Sequence, residues 1–261
     1  MRLVDLRELE DPISFDTDLC IVGSGPAGAT IAKEFAGSTI EVLVIEGGGA
    51  EQTFANQALY EVENVGAART TQQELVRNRV LGGTSQTWAG RCVSFDDIDF
   101  ERRTWVPHSG WPISPMDIAP FLDRAREYLG IGPNVYSDKL WKILGNEPPR
   151  PPIDSTRLET QFWQFSRDGY NNREPTRFSR SIAAISEANV NVLMYANVTR
   201  VNTNADGMRV ESLEIRTLEG KRFEVKAKIV VLACGGIENA RLLLASKRTV
   251  RNGVGNVHDL V

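Results

Sequence analysis

The chain is poor in the residues from which metal and redox sites are built. Its 261 residues include only three cysteines and two histidines. Cys20, Cys92 and Cys234 are far apart and form no C-x-x-C spacing, which excludes a zinc ribbon and a thioredoxin-like redox pair. The expectation is no metal site and buried thiols in a reducing, cytoplasmic setting. No apolar run approaches the roughly 18 residues of a membrane span. The longest, 229–234, is strand-sized. The opening M-R-L-V-D-L-R-E-L-E-D-P carries acids where a signal peptide has an unbroken apolar run. An excess of positive charge is also missing. Lys plus Arg total 30 against 34 for Asp plus Glu, a net charge of −4, which argues against a nucleic-acid partner. What remains, 41% hydrophobic and 25% charged, is an ordinary globular composition, long enough to bury a sizeable core.

The organisation is α/β. Residues 17–23 read as a buried strand, 26–37 as a helix and 40–46 as a second strand. That βαβ unit implies a parallel sheet. Residues 47–110 are mostly irregular, and a loop region of that length is often functional. Residues 115–129 have helical spacing, with Ser114 to cap them and Pro115 to suit the first turn. The proline-rich run N-E-P-P-R-P-P-I-D at 146–154 is the sharpest punctuation and marks a boundary. A short helix is expected at 178–188. Strands follow at 190–195, 197–203, 208–217 and 222–226, with D-G and E-G turns between the last three. The apolar strand 229–234 runs through Gly235-Gly236 into a helix at 237–246.

Gly23-Ser24-Gly25-Pro26-Ala27-Gly28 is G-x-G-x-x-G, placed between a strand and a helix as a dinucleotide fingerprint requires. Gly23 permits the tight turn. Gly25 lets the backbone approach a pyrophosphate, and Gly28 lets helix and strand pack closely. The helix N-terminus offers free N–H groups and a positive dipole end to phosphate. Glu46 closes the second strand, 18 residues after Gly28. Its carboxylate can accept from both ribose hydroxyls and would repel a 2′-phosphate, which disfavours NADP. The motif leaves NAD and FAD both open.

Four segments occur in one order: D-L-C-I-V-G-S-G-P-A-G-A-T-I-A, then L-G-G-T-S-Q-T-W-A-G (81–90), G-W-P-I-S-P-M-D-I-A-P-F-L-D-R-A (110–125) and V-V-L-A-C-G-G-I-E-N-A-R-L-L-L-A-S (230–246). Together they resemble the glucose–methanol–choline (GMC) family of FAD-dependent oxidoreductases, across most of 17–256. The sugar-oxidising branch, such as pyranose oxidases and fructose or gluconate dehydrogenases, is the most similar. The resemblance implies a Rossmann-like FAD-binding sheet, a three-stranded antiparallel meander and the start of a substrate domain. It divides the chain into 1–150, 151–190 and 191–261. It places Gly23, Gly25, Pro26, Ala27 and Gly28 at the FAD pyrophosphate and Glu46 at the adenosine ribose. Gly82, Gly83, Thr84 and Ser85 would run beside the pyrophosphate and flavin, with Trp88, Ala89, Gly90 and Arg91 following near the ring. The Val198 backbone would meet adenine, and Ala233, Cys234 and Gly235 would form the second turn. Gln86-Thr87 stands where some members attach flavin to histidine, so the FAD is expected to be non-covalent.

The implied reaction is oxidation of a CH–OH group of a sugar or other alcohol, with an electron acceptor as second partner. Neither His108 nor His258 matches the family's catalytic histidine, so the catalytic residues are unknown. For Trp88 and Arg91, a packing or ion-pair role stands equally beside the flavin one. Cys92 and Cys234 read as small buried apolar groups. Glu238 and Arg241 read as an i, i+3 surface pair. Trp163, Phe165 and Tyr170 are candidates for stacking on a sugar or, equally, for packing. Family members are about twice this length, beyond a single-domain prior. The chain therefore reads as the N-terminal portion, with exposed apolar faces and a second chain supplying the rest. The alternatives are an FAD-binding subunit inactive alone, and an NAD-dependent dehydrogenase.

Overall fold

The computed structural model describes residues 2–66, 72–149, 151–154, 156–169, 171 and 173–259. In chain order the elements are β1 (Arg2–Asp5), β2 (Ile13–Val22), α1 (Pro26–Phe35), β3 (Val42–Ile45), α2 (Phe54–Ala58) and α3 (Gln73–Val76). Then come β4 (Arg91–Cys92), α4 (Asp97–Phe100), α5 (Pro115–Leu129), α6 (Lys139–Ile143), β5 (Gln164–Phe165) and α7 (Phe178–Ala183). The last are β6 (Val190–Met194), β7 (Asn197–Thr203), β8 (Val210–Arg216), β9 (Arg222–Leu232) and α8 (Gly236–Ala245). The chain forms two compact units. One joins Met1–Thr87 to Arg177–Val261, and the other is Trp88–Thr176.

The first unit is a seven-stranded sheet in the order β1-β6-β3-β2-β9-β8-β7. The pairs from β1 through β9 are parallel, and β9-β8-β7 is an antiparallel meander. The central strands have no polar face to offer. Leu19–Val22 and Val42–Ile45 are buried throughout, as strands covered on both faces must be. Each fully buried Ile or Val there contributes about 1.5–3 kcal/mol of apolar burial. Helix α1 packs on the sheet with small residues, Gly28, Ala29 and Ala32.

Three features depart from the sequence reading. Strand β1 was not expected. It is a short edge strand with half its residues exposed, so it carries no buried alternation to read. The expected strands 222–226 and 229–234 are one continuous β9, paired along its length with β2. Lys226 and Lys228 interrupt the apolar pattern, but they point to solvent around a half-buried Ala227, so the strand continues through them. The meander is therefore fused to the parallel sheet through β9. The third departure is the division of the chain. The proline run at 146–154 lies inside the second unit, and the unit boundaries fall at 87/88 and 176/177 rather than at 150 and 190. A run of prolines disfavours helix and strand without marking a unit boundary, and this one falls inside a unit built mainly of loops.

The second unit holds the β4–β5 pair, α4, α5 and α6. Helix α5 has the expected bounds. The Ser114 N–H donates to Asp117 at 2.7 Å, one arm of a capping box. Phe95, Phe100 and Trp111 cluster with ring centroids 4.9–6.1 Å apart.

Candidate functional site

The C-terminal ends of β2, β3 and β9 open onto a cleft of about 350 Å³ in the first unit. Ligands of open α/β sheets bind at such strand ends. Two strand-to-helix turns form its floor side by side. In the first, Gly23 has φ 102°, and a Cβ there would lie 2.5 Å from the Ala233 carbonyl oxygen of the second turn. The Ala233 N–H donates to Val22 O at 2.7 Å, which locks the two turns together. Gly28 has no room at all, since a Cβ would sit 1.9 Å from the Gly23 carbonyl oxygen. Gly25 differs. A Cβ there meets nothing within 4 Å, so the backbone faces open space. Gly25 is also the N-cap of α1, with no side-chain cap bond. The first-turn amides of α1 therefore stand ready for an anion.

Ser24, an unspecified position in the motif, is the hub of the site. It is fully buried. Its Oγ donates to Glu46 Oε2 at 2.5 Å and accepts from the Gly82 N–H at 3.0 Å. The Gly48 N–H donates to the other Glu46 oxygen at 2.8 Å. Glu46 is 5% exposed and lines the cleft. Oε2 also accepts from the Ser24 N–H at 3.2 Å, so it is Oε1 that keeps a lone pair for a further donor, such as a ribose hydroxyl.

A strap, residues 77–84, forms the opposite wall. It contributes Asn78, Arg79, Gly83 and Thr84 to the lining. The absent Cβ of Gly83 would lie 3.0 Å from Gly25 Cα, so strap and first turn meet there backbone to backbone. Buried Gln57 holds the strap by its main chain: Nε2 donates to the Arg77 carbonyl, and Oε1 accepts from the Arg79 N–H at 3.1 Å. Arg79 donates to Asn197 Oδ1 at 3.0 and 3.2 Å. Those donors fix the amide orientation and leave Asn197 Nδ2 buried without a partner.

On the α8 side, Glu238, Arg241 and Leu242 complete the lining with Val198 and Tyr60. The expected Glu238–Arg241 pair exists at 2.7 Å, but it is not a surface pair. Glu238 is buried, and its other oxygen pairs with Arg77 at 3.1 Å. Burial pushes the Glu238 carboxyl up. The Arg241 and Arg77 guanidiniums outweigh it and hold the group below its ordinary value.

The structure brings Gly23, Gly25, Pro26, Ala27, Glu46, Gly83, Thr84, Val198, Ala233, Cys234 and Gly235 to this one cleft. Gly28, Gly82 and Ser85 stand behind it, with the Ser85 hydroxyl donating to Gly82 O at 2.6 Å. Trp88, Ala89, Gly90 and Arg91 belong to the second unit. There the Trp88 indole donates to Thr176 O at 2.9 Å, and the Arg91 guanidinium lies 4.8 Å from the Trp163 ring centroid. Phe165 is in β5, and Tyr170 lies outside the described residues. His108 and His258 are both exposed. Cys92 and Cys234 are half-buried rather than buried. Sequence reasoning missed Ser24, Gln57, Tyr60, Asn78 and Arg79. The only signal for them was their position in the long irregular region or inside the glycine motif. Among the described residues no helix is long and apolar enough to cross a membrane, and no cluster could hold a metal ion.

A family model described as FAD dependent oxidoreductase matches residues 18–254. The 2-methyl-1,2-propanediol dehydrogenase of Mycolicibacterium austroafricanum is 24% identical over 94% of this chain and 54% of its own length. The 6'''-hydroxyparomomycin C oxidase of Streptomyces lividus is 23% identical, with 94% and 53% covered. Among solved structures, a formate oxidase shares the fold with a TM-score of 0.58 and 17% identity, over 90% of this chain and 48% of that one. The pyridoxine 4-oxidase from Mesorbium loti gives 0.55 at 20% identity, with 88% and 52% covered. The chain spans about half the length of the curated relatives it matches.

Proposed function

The chain belongs to the FAD dependent oxidoreductase family, and from that premise we propose that it holds non-covalent FAD for the oxidation of a CH–OH group. We place it in the GMC branch, acting on a sugar or other alcohol and passing electrons to a separate acceptor, in the cytoplasm. The observation that carries the proposal is the cleft itself. Uncapped α1 amides, the bare Gly25 backbone and the Glu46 carboxylate stand in the order phosphate, then ribose, that a dinucleotide requires. Relatives named as a 2-methyl-1,2-propanediol dehydrogenase and a 6'''-hydroxyparomomycin C oxidase support the donor class.

Bound FAD supplies an acceptor for the hydride leaving the substrate carbon. This chain's residues hold it in place. The α1 N-terminus and Gly25 bind phosphate oxygens. Glu46, oriented by Ser24 and Gly48, would offer its Oε1 to a ribose hydroxyl. The strap, as the opposite wall of the cleft, would flank the cofactor. Removing the hydroxyl proton needs a base. No histidine is among the described residues lining the cleft, so we assign the base to a segment or partner chain beyond the residues seen here. Ile229, 61% exposed on β9, is one apolar surface such a segment could cover.

The test is an absorbance spectrum followed by turnover. Flavin bands near about 380 and 450 nm, released into solution by acid, are expected. Flavin retained by the precipitate would contradict non-covalent binding, and a colourless protein that takes up NAD would overturn the cofactor. Alcohol oxidation with a dye acceptor by this chain alone would overturn the assignment of the base to another segment.

A further inference from the structure

We propose that Arg77 and Glu238 are positioning residues whose ion pair clasps the strap to α8 and thereby sets how tightly FAD is held. The proposal rests on the FAD reading above and concerns the wall of that cleft rather than its floor.

The strap needs anchoring from outside. Apart from a 3₁₀ turn at Gly83–Gln86, residues 77–84 have no regular structure of their own. Its position is set by what its side chains and carbonyls reach. Near its start, Arg79 is tied to β7 through Asn197 Oδ1 at 3.0 and 3.2 Å. Two residues earlier, Arg77 Nη1 meets Glu238 Oε1 at 3.1 Å, and Nη2 donates to Tyr60 O at 3.3 Å. The Tyr60 ring lies under both guanidiniums, 4.2 Å from Arg77 and 5.1 Å from Arg79. The start of the strap thus bridges α8 and β7, and Tyr60, Arg79, Glu238 and Arg241 all face the cleft.

The contact with α8 is where a charge must be satisfied. The Glu238 side chain is 7% exposed and that of Arg77 17%. A carboxylate so desolvated is tolerated only when paired. Arg241 alone could satisfy it, at 2.7 Å from Oε2. Arg77 is therefore not required to neutralise Glu238. What its pair adds is a tether between the strap and the helix. A salt bridge that only stabilises the fold acts on the protein with and without cofactor alike. A tether that shapes the cleft acts on cofactor affinity.

R77Q separates the two roles, because Glu238 keeps Arg241 and no carboxylate is orphaned. The full chain, stripped of flavin, is titrated with FAD by quenching of flavin fluorescence. Its melting temperature is measured with and without saturating FAD. Outer partners of bound groups, in the well-studied case of metal ligands, tune affinity by about 10- to 100-fold. R77Q is expected to weaken FAD at least about tenfold on that scale, with the cofactor-free melting temperature little changed. R77K, which keeps the charge but not the fork, should recover part of the loss, and it serves as the test if R77Q does not fold. E238Q should weaken FAD too, and the R77Q/E238Q double variant should lose less than the two singles combined, as coupled residues do. FAD affinity within twofold of the parent in R77Q, or equal melting losses with and without FAD, overturns the clasp while leaving the FAD site intact. A parent chain that takes up no FAD overturns both.

Discussion

Two glycines of one motif, three residues apart, should fail in opposite ways when given a methyl group. Gly28 lies where α1 presses on the first turn. A Cβ there sits 1.9 Å from the Gly23 carbonyl oxygen and 3.2 Å from Ile21 Cγ2. Ordinary contact begins near about 3.5 Å, so α1 must withdraw by roughly 1.5 Å in G28A. Overpacking of that kind costs about 1–3 kcal/mol. At about 2–4 °C per kcal/mol for a chain of this size, the cofactor-free protein should melt roughly 5 °C lower. FAD binding suffers as well, because the helix that presents its amides has moved. Gly25 has φ −63° and ψ −174°, open to any residue, and its Cβ position is empty to 4 Å. G25A therefore loses no packing. The small stabilisation from a stiffer unfolded chain and the small cost of alanine at an N-cap offset each other to within about 1 kcal/mol. Its methyl projects into the space assigned to the pyrophosphate, and FAD affinity should fall at least about tenfold, because that glycine exists for close backbone approach. Differential scanning calorimetry of the flavin-free variants and FAD titration read the two effects separately. G25A binding FAD as tightly as the parent, or G28A melting at the parent temperature, would refute the division of labour.

Three further outcomes follow from the same geometry. S24A strips an O–H donor from buried Glu46 and an acceptor from the Gly82 N–H. It should cost about 1–3 kcal/mol, read as an earlier thermal or urea transition, and a parent-like transition would remove Ser24 from its role as hub. E46Q keeps the volume but not the charge and should weaken FAD about tenfold, since hydrogen bonds to a charged acceptor are worth about 1.5–3 kcal/mol; an unchanged titration would take Glu46 away from the ribose. Burial pushes the Cys20 thiol up to about 12 and the Cys234 thiol up to about 11. Thiols of the unfolded chain ionise near about 8.5, so the folded state holds its protons longer. That stability is complete below the unfolded value and is lost as pH rises toward the folded ones. The melting temperature should fall between pH 9 and pH 11, less steeply in C234A, and parallel profiles would contradict the burial argument.

Where the backbone imposes a residue type, the sequence could be read. Gly23, Gly25 and Gly28 are demanded by a turn, an open approach and a helix contact, and no other residue meets all three. Leu19–Val22 of β2 and the whole of β3 are buried on both faces, so they announce themselves as unbroken apolar runs. Strand β1 had no such signal, and the lysines of β9 gave a false one. The unit boundaries at 87/88 and 176/177 are flanked only by scattered glycines and the single Pro175, a far weaker signal than the proline run, which lies inside a unit.

The side chains that close the cleft were illegible for a different reason. Arg77 and Glu238 are 161 residues apart, and Arg79 and Asn197 are 118 apart. Neither pair leaves a local pattern. The pattern Glu238 did leave, with Arg241 three positions on, pointed to solvent and away from its second partner. It follows that the glycine motif and the clasp carry separate information. The motif reports that a dinucleotide phosphate can be approached. It would read identically in a chain whose strap had lost its tether, since neither residue 77 nor residue 238 belongs to it. Differences in FAD affinity among chains with the same motif should therefore track the charges at these two positions, and grafting the Arg77–Glu238 pair into a weak binder that lacks it should tighten FAD without changing the turn.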